Sequence, residues 1–357
     1  MILIVLIIIG TVAVYGATSG TKLNGLHTSN WIQFVVFLIP MLVIAMLDYR
    51  VFTGKLSFLF YMIGIAMLVL VQLIGSHING AVRWLNFGSF QVQPSELVKV
   101  FTILLAAHLL HKRAGEKLRL FQDIVPLCVV FLIPTVLIMK QPDLGTSLVF
   151  VGIFLSMLWI GNMRTLYMLL CLGLVGLAVG AILWLYYADY ELLSQIVKPH
   201  QMARIQTFLD PTHDPDKSWH VQNAIRAIGS GGMGGDNQFY LQNGYIPYAY
   251  SDSIYVVIGE KYGFLGSSVL LICYFILIYR LVIVAMNSRE LIGSYVVIGI
   301  TGMLVFQIFI NIGMHIGLVP LTGISLPFIS YGGSSLLTNM IAIGLVMSVS
   351  IHHDSSI

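Results

Sequence analysis

The sequence predicts an all-α, polytopic membrane protein with about ten transmembrane helices and a large extracellular loop between helices 7 and 8. Three observations predict it. Apolar residues make up 58% of the 357 residues and charged residues only 9%, against about 25% charged in an ordinary soluble domain. So few charges cannot cover a soluble chain of this length, but lipid can. The apolar runs approach the roughly 20 residues that a helix needs to cross about 30 Å of hydrocarbon. The runs are also unbroken, without the alternation of a transmembrane barrel strand.

In chain order the runs fall at Ile2–Ala17, Trp31–Leu47, Leu56–Ile74, Glu96–His111, Ile124–Met139, Gly145–Ile160, Leu166–Tyr187, Ile254–Met286, Leu291–Ile312 and Ser335–Ser350. No basic segment precedes the first run and no cleavage pattern follows it, so it reads as a retained helix rather than a secretory signal. The fourth run opens on Pro94, which suits the first turn of a helix because its missing N–H costs nothing there. The eighth run is the longest. Residues 1–357 form a single integral membrane domain, interrupted by the loop at 188–253.

The short connectors divide by charge. One set carries Arg50, Lys55, Lys112, Arg113, Lys117, Arg119, Arg164 and Arg289; the other carries Lys22, Arg83 and Lys140. The excess of Lys and Arg marks the first set as cytoplasmic. The protein is therefore expected in the cytoplasmic membrane, crossing it many times, with both termini cytoplasmic. Orientation accounts for these basic connectors. The formal net charge of +3 is mild, and no basic stripe with interleaved aromatics points to nucleic acid. Cys128, Cys171 and Cys273 all lie in apolar runs and read as packing residues. There is no CxxC and no Cys/His cluster of the kind that holds structural zinc.

The chemistry-bearing residues gather in the connectors expected on the outer face. Glu96 lies in the first turn after Pro94, where the helix dipole favours a negative charge. Lys99 is three residues on, on the same face. A lysine at membrane depth is costly and needs a partner, and Glu96 is the nearest. The pair is either a structural ion pair or one wall of a polar cavity. Asp143 follows Pro142 and precedes a run, so it is a helix cap or a cavity group. Lys140 is a snorkelling end residue or an anion contact. Arg83 beside Trp84 is an interfacial anchor, or a grip on a diphosphate through paired donors.

The loop at 188–253 is too long for a plain connector. It opens polar, with Lys198, His200, Arg204 and Asp210. Trp219 to Ile228 reads as an amphipathic surface helix. The glycines of Gly229–Gly235 form either a flexible turn or a close approach to phosphate, but no GK[ST] follows them to make a Walker A loop. The loop ends in Tyr250-Ser251-Asp252-Ser253. Asp252 sits just before a run, as a cap or as a carboxylate at the rim of a polar cavity. Glu260 follows two turns later, on or near the same face.

Together these stretches resemble the SEDS family of shape, elongation, division and sporulation proteins. The resemblance rests on Arg83-Trp84, Gln93-Pro94-Ser95-Glu96 with Lys99, and Gln141-Pro142-Asp143-Leu144-Gly145-Thr146. It continues through Ala227-Ile228-Gly229-Ser230-Gly231-Gly232, Gly263-Phe264-Leu265-Gly266, Asn311-Ile312-Gly313-Met314 and the run from Pro320 to Ser335. The Gln-Pro-Asp-Leu-Gly-Thr and Asn-Ile-Gly-Met forms lean toward the family's rod-shape branch. The resemblance implies a peptidoglycan glycosyltransferase acting on lipid II, a disaccharide-pentapeptide on undecaprenyl diphosphate, with a class B penicillin-binding protein as partner. It places the family's essential acid at Asp252 and its Glu/Lys pair at Glu96 and Lys99. The expected site is Asp252 as general base, with Arg83, Glu96, Lys99, Lys140, Asp143 and Glu260 around the substrate. A divalent cation such as Mg or Mn is left open. The alternative is a flippase moving a lipid-linked cell-wall precursor, but the chemistry-bearing motifs gather on one side and no inverted repeat is visible.

Overall fold

The structure is a computed structural model that describes residues 1–78, 81–87, 90–211, 215–235 and 237–352. Each expected apolar run coincides with a helix. These are α1 (Ile2–Thr18), α2 (Leu26–Met46), α4 (Lys55–Ile74), α5 (Pro94–His111), α6 (Val125–Lys140, preceded by a π turn over Leu120–Ile124), α7 (Leu144–Ile160), α8 (Thr165–Ala188), α13 (Ile254–Asn287), α14 (Leu291–His315) and α15 (Gly333–Ile351). A short α3 (Tyr49–Thr53) joins α2 to α4. Seven of the ten are long and apolar enough to cross a membrane, and α1 and α7 are shorter apolar helices. The tenth, α5, carries Glu96 and Lys99 near its start. The protein is thus a multi-pass, all-α membrane protein.

The core forms around α14, which packs against α7, α13 and α5. Small residues make this possible, because without a hydrophobic drive between helices in lipid, close backbone approach supplies the packing. A Cβ on Gly152 of α7 would stand 2.1 Å from the Phe306 ring, and one on Gly302 would stand 2.3 Å from Ser156 Oγ. By contrast α8 buries none of its residues.

One face of the bundle gathers the basic connectors. Arg50 pairs with Glu290 at 2.9 Å, Ser348 Oγ donates to the Leu47 carbonyl, and Asn162 Nδ2 donates to the Gly115 carbonyl at 2.9 Å. The connectors 47–54, 112–119, 161–164 and 288–290 therefore share this face with the end of α15.

The opposite face differs from expectation in two ways. Between α4 and α5 the chain forms a small antiparallel sheet, β1 (Ser76–Ile78), β2 (Ala81–Phe87) and β3 (Phe90–Val92), in that order. Its strands are too short to stand out beside the apolar runs, yet β2 carries Arg83. The long connector is also largely helical: α9 (Tyr190–Ile196), α10 (Pro199–Leu209), α11 (Pro215–Ser230) and α12 (Phe239–Gln242). Residues 212–214 and Asp236 of that connector lie outside the described residues.

The amphipathic helix expected at Trp219–Ile228 is α11, and its apolar side, with Ala224 and Ala227 buried, packs on α13. The glycine run that follows has a structural task. Gly263 (φ 60°, ψ −155°) breaks α13 and leaves N–H groups of the following turn without helical acceptors. Phe264 N donates to the Gly232 carbonyl at 2.9 Å and Leu265 N to the Met233 carbonyl at 3.1 Å. A Cβ on Gly231 would stand 2.0 Å from the Gly259 carbonyl, and one on Gly235 would stand 2.1 Å from the Lys261 carbonyl. The run is a turn that crosses α13 backbone to backbone and caps the second half of that helix.

Candidate active site

A cavity of about 350 Å³ opens on the face that carries the sheet. Two walls build it. The first comes from β2, the start of α5 and the α6–α7 connector. Gln93, at the end of the sheet, is fixed by Ser334 Oγ, which accepts from its backbone N–H at 3.0 Å. Its side-chain amide reaches Asp143 Oδ2 at 3.3 Å. Glu96 and Lys99 meet at 2.9 Å. Lys99 is 1% exposed, so its charge is spent on Glu96, and only Glu96 of the pair lines the cavity.

Asp143 does cap α7: Oδ1 accepts from Thr146 N at 3.1 Å and Oδ2 from Thr146 Oγ1 at 3.0 Å. It also stands 3.8 Å from Arg83. The Arg83 guanidinium is held in place from behind by the Gln141 and Pro142 carbonyls. Its fork is thereby pre-oriented at the cavity wall.

The second wall comes from the turn before α13 and the segment between α14 and α15. Tyr248 takes a left-handed conformation (φ 52°), sparsely populated for a bulky residue, and starts a tight turn in which Ser251 N donates to its carbonyl at 2.9 Å. The carbonyls of that turn are then pinned one after another. Tyr331 N donates to Tyr250 O at 2.9 Å, and Ser330 Oγ to Ser251 O at 2.7 Å. The Asp252 carbonyl takes two donors, Asn311 Nδ2 at 2.8 Å and His315 Nε2 at 2.9 Å. From α11, His220 Nε2 lies 3.2 Å from Ser253 Oγ, and burial holds its pKa below the usual range.

The backbone of Asp252 is therefore over-determined while its side chain is not. Oδ1 is enclosed yet has no hydrogen-bond partner. Burial pushes the carboxyl up to about 6, against the smaller opposing effect of the backbone N–H groups of Asp252 and Ser253. That puts a half-buried carboxylate with a raised pKa at the cavity wall.

The cavity thus unites Asp252, Arg83, Glu96 and Asp143. Besides Lys99, two other expected residues lie apart from it. Lys140 is exposed at the end of α6, as a snorkelling residue would be. Glu260 is fully buried, and its oxygens accept the backbone N–H groups of Tyr240 at 2.7 Å and Leu241 at 3.2 Å. It anchors α12 to α13; the break at Gly263 and the packed connector give it this task in place of one at the cavity.

A family described as "Cell cycle protein", FtsW/RodA/SpoVE, matches residues 1–355. The chain belongs to it. Among its relatives, the stage V sporulation protein E of Bacillus subtilis (strain 168) is 34% identical over 80% of this chain and 75% of that protein. The peptidoglycan glycosyltransferase RodA of Treponema pallidum (strain Nichols) is 30% identical over 96% and 94%. A solved chain from work on the structural coordination of polymerization and crosslinking by a peptidoglycan synthase complex is 28% identical, with a TM-score of 0.81 over 99% of this chain and 98% of that one.

One charged residue of the cavity was not among those expected from the sequence. Arg204 of α10 lines the cavity and donates from Nη1 to the Thr322 carbonyl at 3.4 Å. Burial and the neighbouring Arg83 lower its pKa, which records a second guanidinium close to the first. Its only signal in the sequence was a charge on the amphipathic helix that Pro199 opens. Asn311 and His315 were legible only as part of the run Asn311–Met314 and its edge.

Proposed function

We propose that the chain is a peptidoglycan glycosyltransferase that polymerises lipid II at the outer face of the cytoplasmic membrane, with Asp252 as general base. One observation carries this reading: a carboxylate with a raised pKa and an unpartnered oxygen shares a cavity with two guanidinium groups. The names of its relatives as peptidoglycan glycosyltransferases support it.

Transfer requires an acceptor sugar hydroxyl to attack the anomeric carbon of a donor. As the new C–O bond forms, the hydroxyl proton passes to Asp252. As the old C–O bond breaks, its electron pair leaves with undecaprenyl diphosphate. A positioned base contributes about 10²- to 10⁴-fold. The departing charge falls to Arg83 and Arg204, whose planar forks suit a diphosphate. Because both are already anchored by carbonyls, little reorganisation is needed as that charge develops. Glu96 and Asp143 hold the first wall in register and are themselves held by Lys99, Thr146 and Gln93.

Among the described residues no three His, Cys, Asp or Glu side chains group to hold a metal. A Mg or Mn ion drawn into this site would be held chiefly by the substrate diphosphate with one or two carboxylates, the usual manner for Mg. A class B penicillin-binding protein is the proposed partner, consistent with the synthase complex in which the similar solved chain sits.

The test is purified protein, alone and with a class B penicillin-binding protein, given labelled lipid II, with Asp252→Asn beside the parent. Glycan chains from the parent and a yield about 10²- to 10⁴-fold lower from the variant are expected. Chains from a well-folded variant at near the parent rate would remove Asp252 from the mechanism.

A further inference from the structure

On the face opposite the active site, a separate cavity of about 500 Å³ lies between the α5–α6 and α7–α8 connectors. Lys117, Arg119 and Arg164 converge on it, against one carboxylate, Glu116. Two other arginines on this face are paired inside the protein. Arg50 pairs with Asp48 at 3.0 Å and Glu290 at 2.9 Å, and Arg113 with Asp123 at 2.7 Å. The three cations of the cavity form no ion pair with a carboxylate among the described residues.

The cleft is also built rather than incidental. Asn162, in a left-handed conformation (φ 60°), ties its side chain to the Gly115 carbonyl at 2.9 Å. The Arg119 backbone N–H is fixed by Asp123 Oδ2 at 2.8 Å. The two connectors are thus fastened across the cavity mouth. Orientation of the chain asks only for an excess of basic residues on one face; it does not ask that three of them line one cavity.

The surroundings say what would fill it. The cavity sits where α6 and α8 begin, at the boundary between polar connectors and apolar helices. Leu120 lines it, and the adjoining Phe121 and Leu166 are 81% and 64% exposed, with Trp159 at the end of α7 77% exposed. Trp159, with Tyr167 lining the cavity, marks the headgroup–acyl boundary, and the exposed Phe121 and Leu166 face its apolar side. A cationic pocket between transmembrane helices with apolar neighbours matches a phosphate on a diacyl tail. A soluble anion would make no use of the apolar side.

We propose that this cavity binds the phosphate headgroup of an anionic phospholipid, with the acyl chains against the apolar side chains at the starts of α6 and α8. The site is separate from the glycosyltransferase cavity and shares no residue with it.

The experiment is native mass spectrometry of the purified full chain with phosphatidylglycerol or phosphatidylcholine, with inorganic phosphate and glycerol phosphate as soluble competitors. Phosphatidylglycerol is expected to be retained in preference to phosphatidylcholine and to survive both competitors at millimolar concentration. The triple variant Lys117→Gln/Arg119→Gln/Arg164→Gln should lose about a hundred-fold in phosphatidylglycerol affinity, about five-fold per charge. Lys55→Gln, on the same face and outside the cavity, should lose about five-fold at most. The charge-keeping variant Lys117→Arg/Arg119→Lys/Arg164→Lys should retain the lipid, which separates charge from folding. Equal retention of the two lipids, or a triple variant that binds like the parent, overturns the proposal. Displacement by inorganic phosphate would reassign the cavity to a soluble anion and overturn the lipid assignment equally.

Discussion

The two walls of the active-site cavity are built on opposite plans. In the wall of β2, α5 and the α6–α7 connector, every carboxylate is spoken for: Glu96 by Lys99, Asp143 by Thr146 and Gln93. In the wall of the 248–253 turn and the α14–α15 segment, the backbone is pinned and the one carboxylate is left free at Oδ1. An enclosed polar atom without a partner costs about 1–3 kcal/mol. Asn311 Oδ1 and His315 Nδ1 in the same wall also lack partners; Asp252 differs from them as a carboxylate that lines the cavity. The first wall therefore reads as a rigid grip and the second as the reactive side.

That contrast breaks most visibly at Asp252. Asp252→Asn keeps shape and removes the base, so lipid II polymerisation should fall by about 10²- to 10⁴-fold, measured as glycan chain yield. The protein should elute as the parent does and melt no lower than it, since the Asn311 and His315 hydrogen bonds go to the residue 252 carbonyl and survive the change.

On the other wall the same kind of substitution should act through folding. Glu96→Gln leaves Lys99 buried without its counter-charge, and breaking a buried pair from one side costs about 3–5 kcal/mol. A thermal melt should show the loss. The double variant Glu96→Gln/Lys99→Met should recover most of that stability, because it leaves no lone charge. If Glu96→Gln melted like the parent but polymerised nothing, the grip-and-base division would be wrong.

Arg204 sharpens the contrast between holding and reacting. Its guanidinium faces the cavity and is anchored by a single 3.4 Å hydrogen bond. Arg204→Gln should weaken transfer by about ten- to a hundred-fold, the range for one lost charge-assisted hydrogen bond of about 1.5–3 kcal/mol. It should do so without moving the melting temperature by more than a degree or two. Steady-state kinetics against lipid II concentration would show the effect.

How much of this was legible in the sequence depended on range. Helices announce themselves through local composition, so all ten runs coincided with helices, with boundaries off by a few residues; α2 begins at Leu26 rather than Trp31. The caps were legible for the same reason: Pro94 at the head of α5 and Asp143 at the head of α7 act within one turn. What the sequence hid was partnership at long range. Nothing local says that Glu260 turns to the backbone of Tyr240 and Leu241, or that Gly231 and Gly235 exist to admit the carbonyls of Gly259 and Lys261. The approach of Arg204 to Thr322 joins residues 118 apart. Asp252 was legible as a carboxylate at a helix start. Its free oxygen was not, because that is a property of everything packed around it.

The smallest effect is the one that tests the physical cause. Burial raises the Asp252 pKa to about 6 from an ordinary value of 3.8, so the folded state holds that proton more tightly than the unfolded chain does. A raised carboxylate pKa has the opposite sign from the usual salt-bridged acid: its ionisation lowers stability as pH rises from about 4 to about 6, and the full cost is present above that window. Asp252→Asn abolishes the titration. The variant should therefore match the parent below pH 4 and melt slightly higher than it at pH 7, with the gap opening between pH 4 and 6. Over the same interval the parent's polymerisation rate should climb with the fraction of ionised base and level off above pH 7. A melting gap that shrank as pH rose would mean that Asp252 is stabilised as an anion by a partner, and the division between the two walls would collapse.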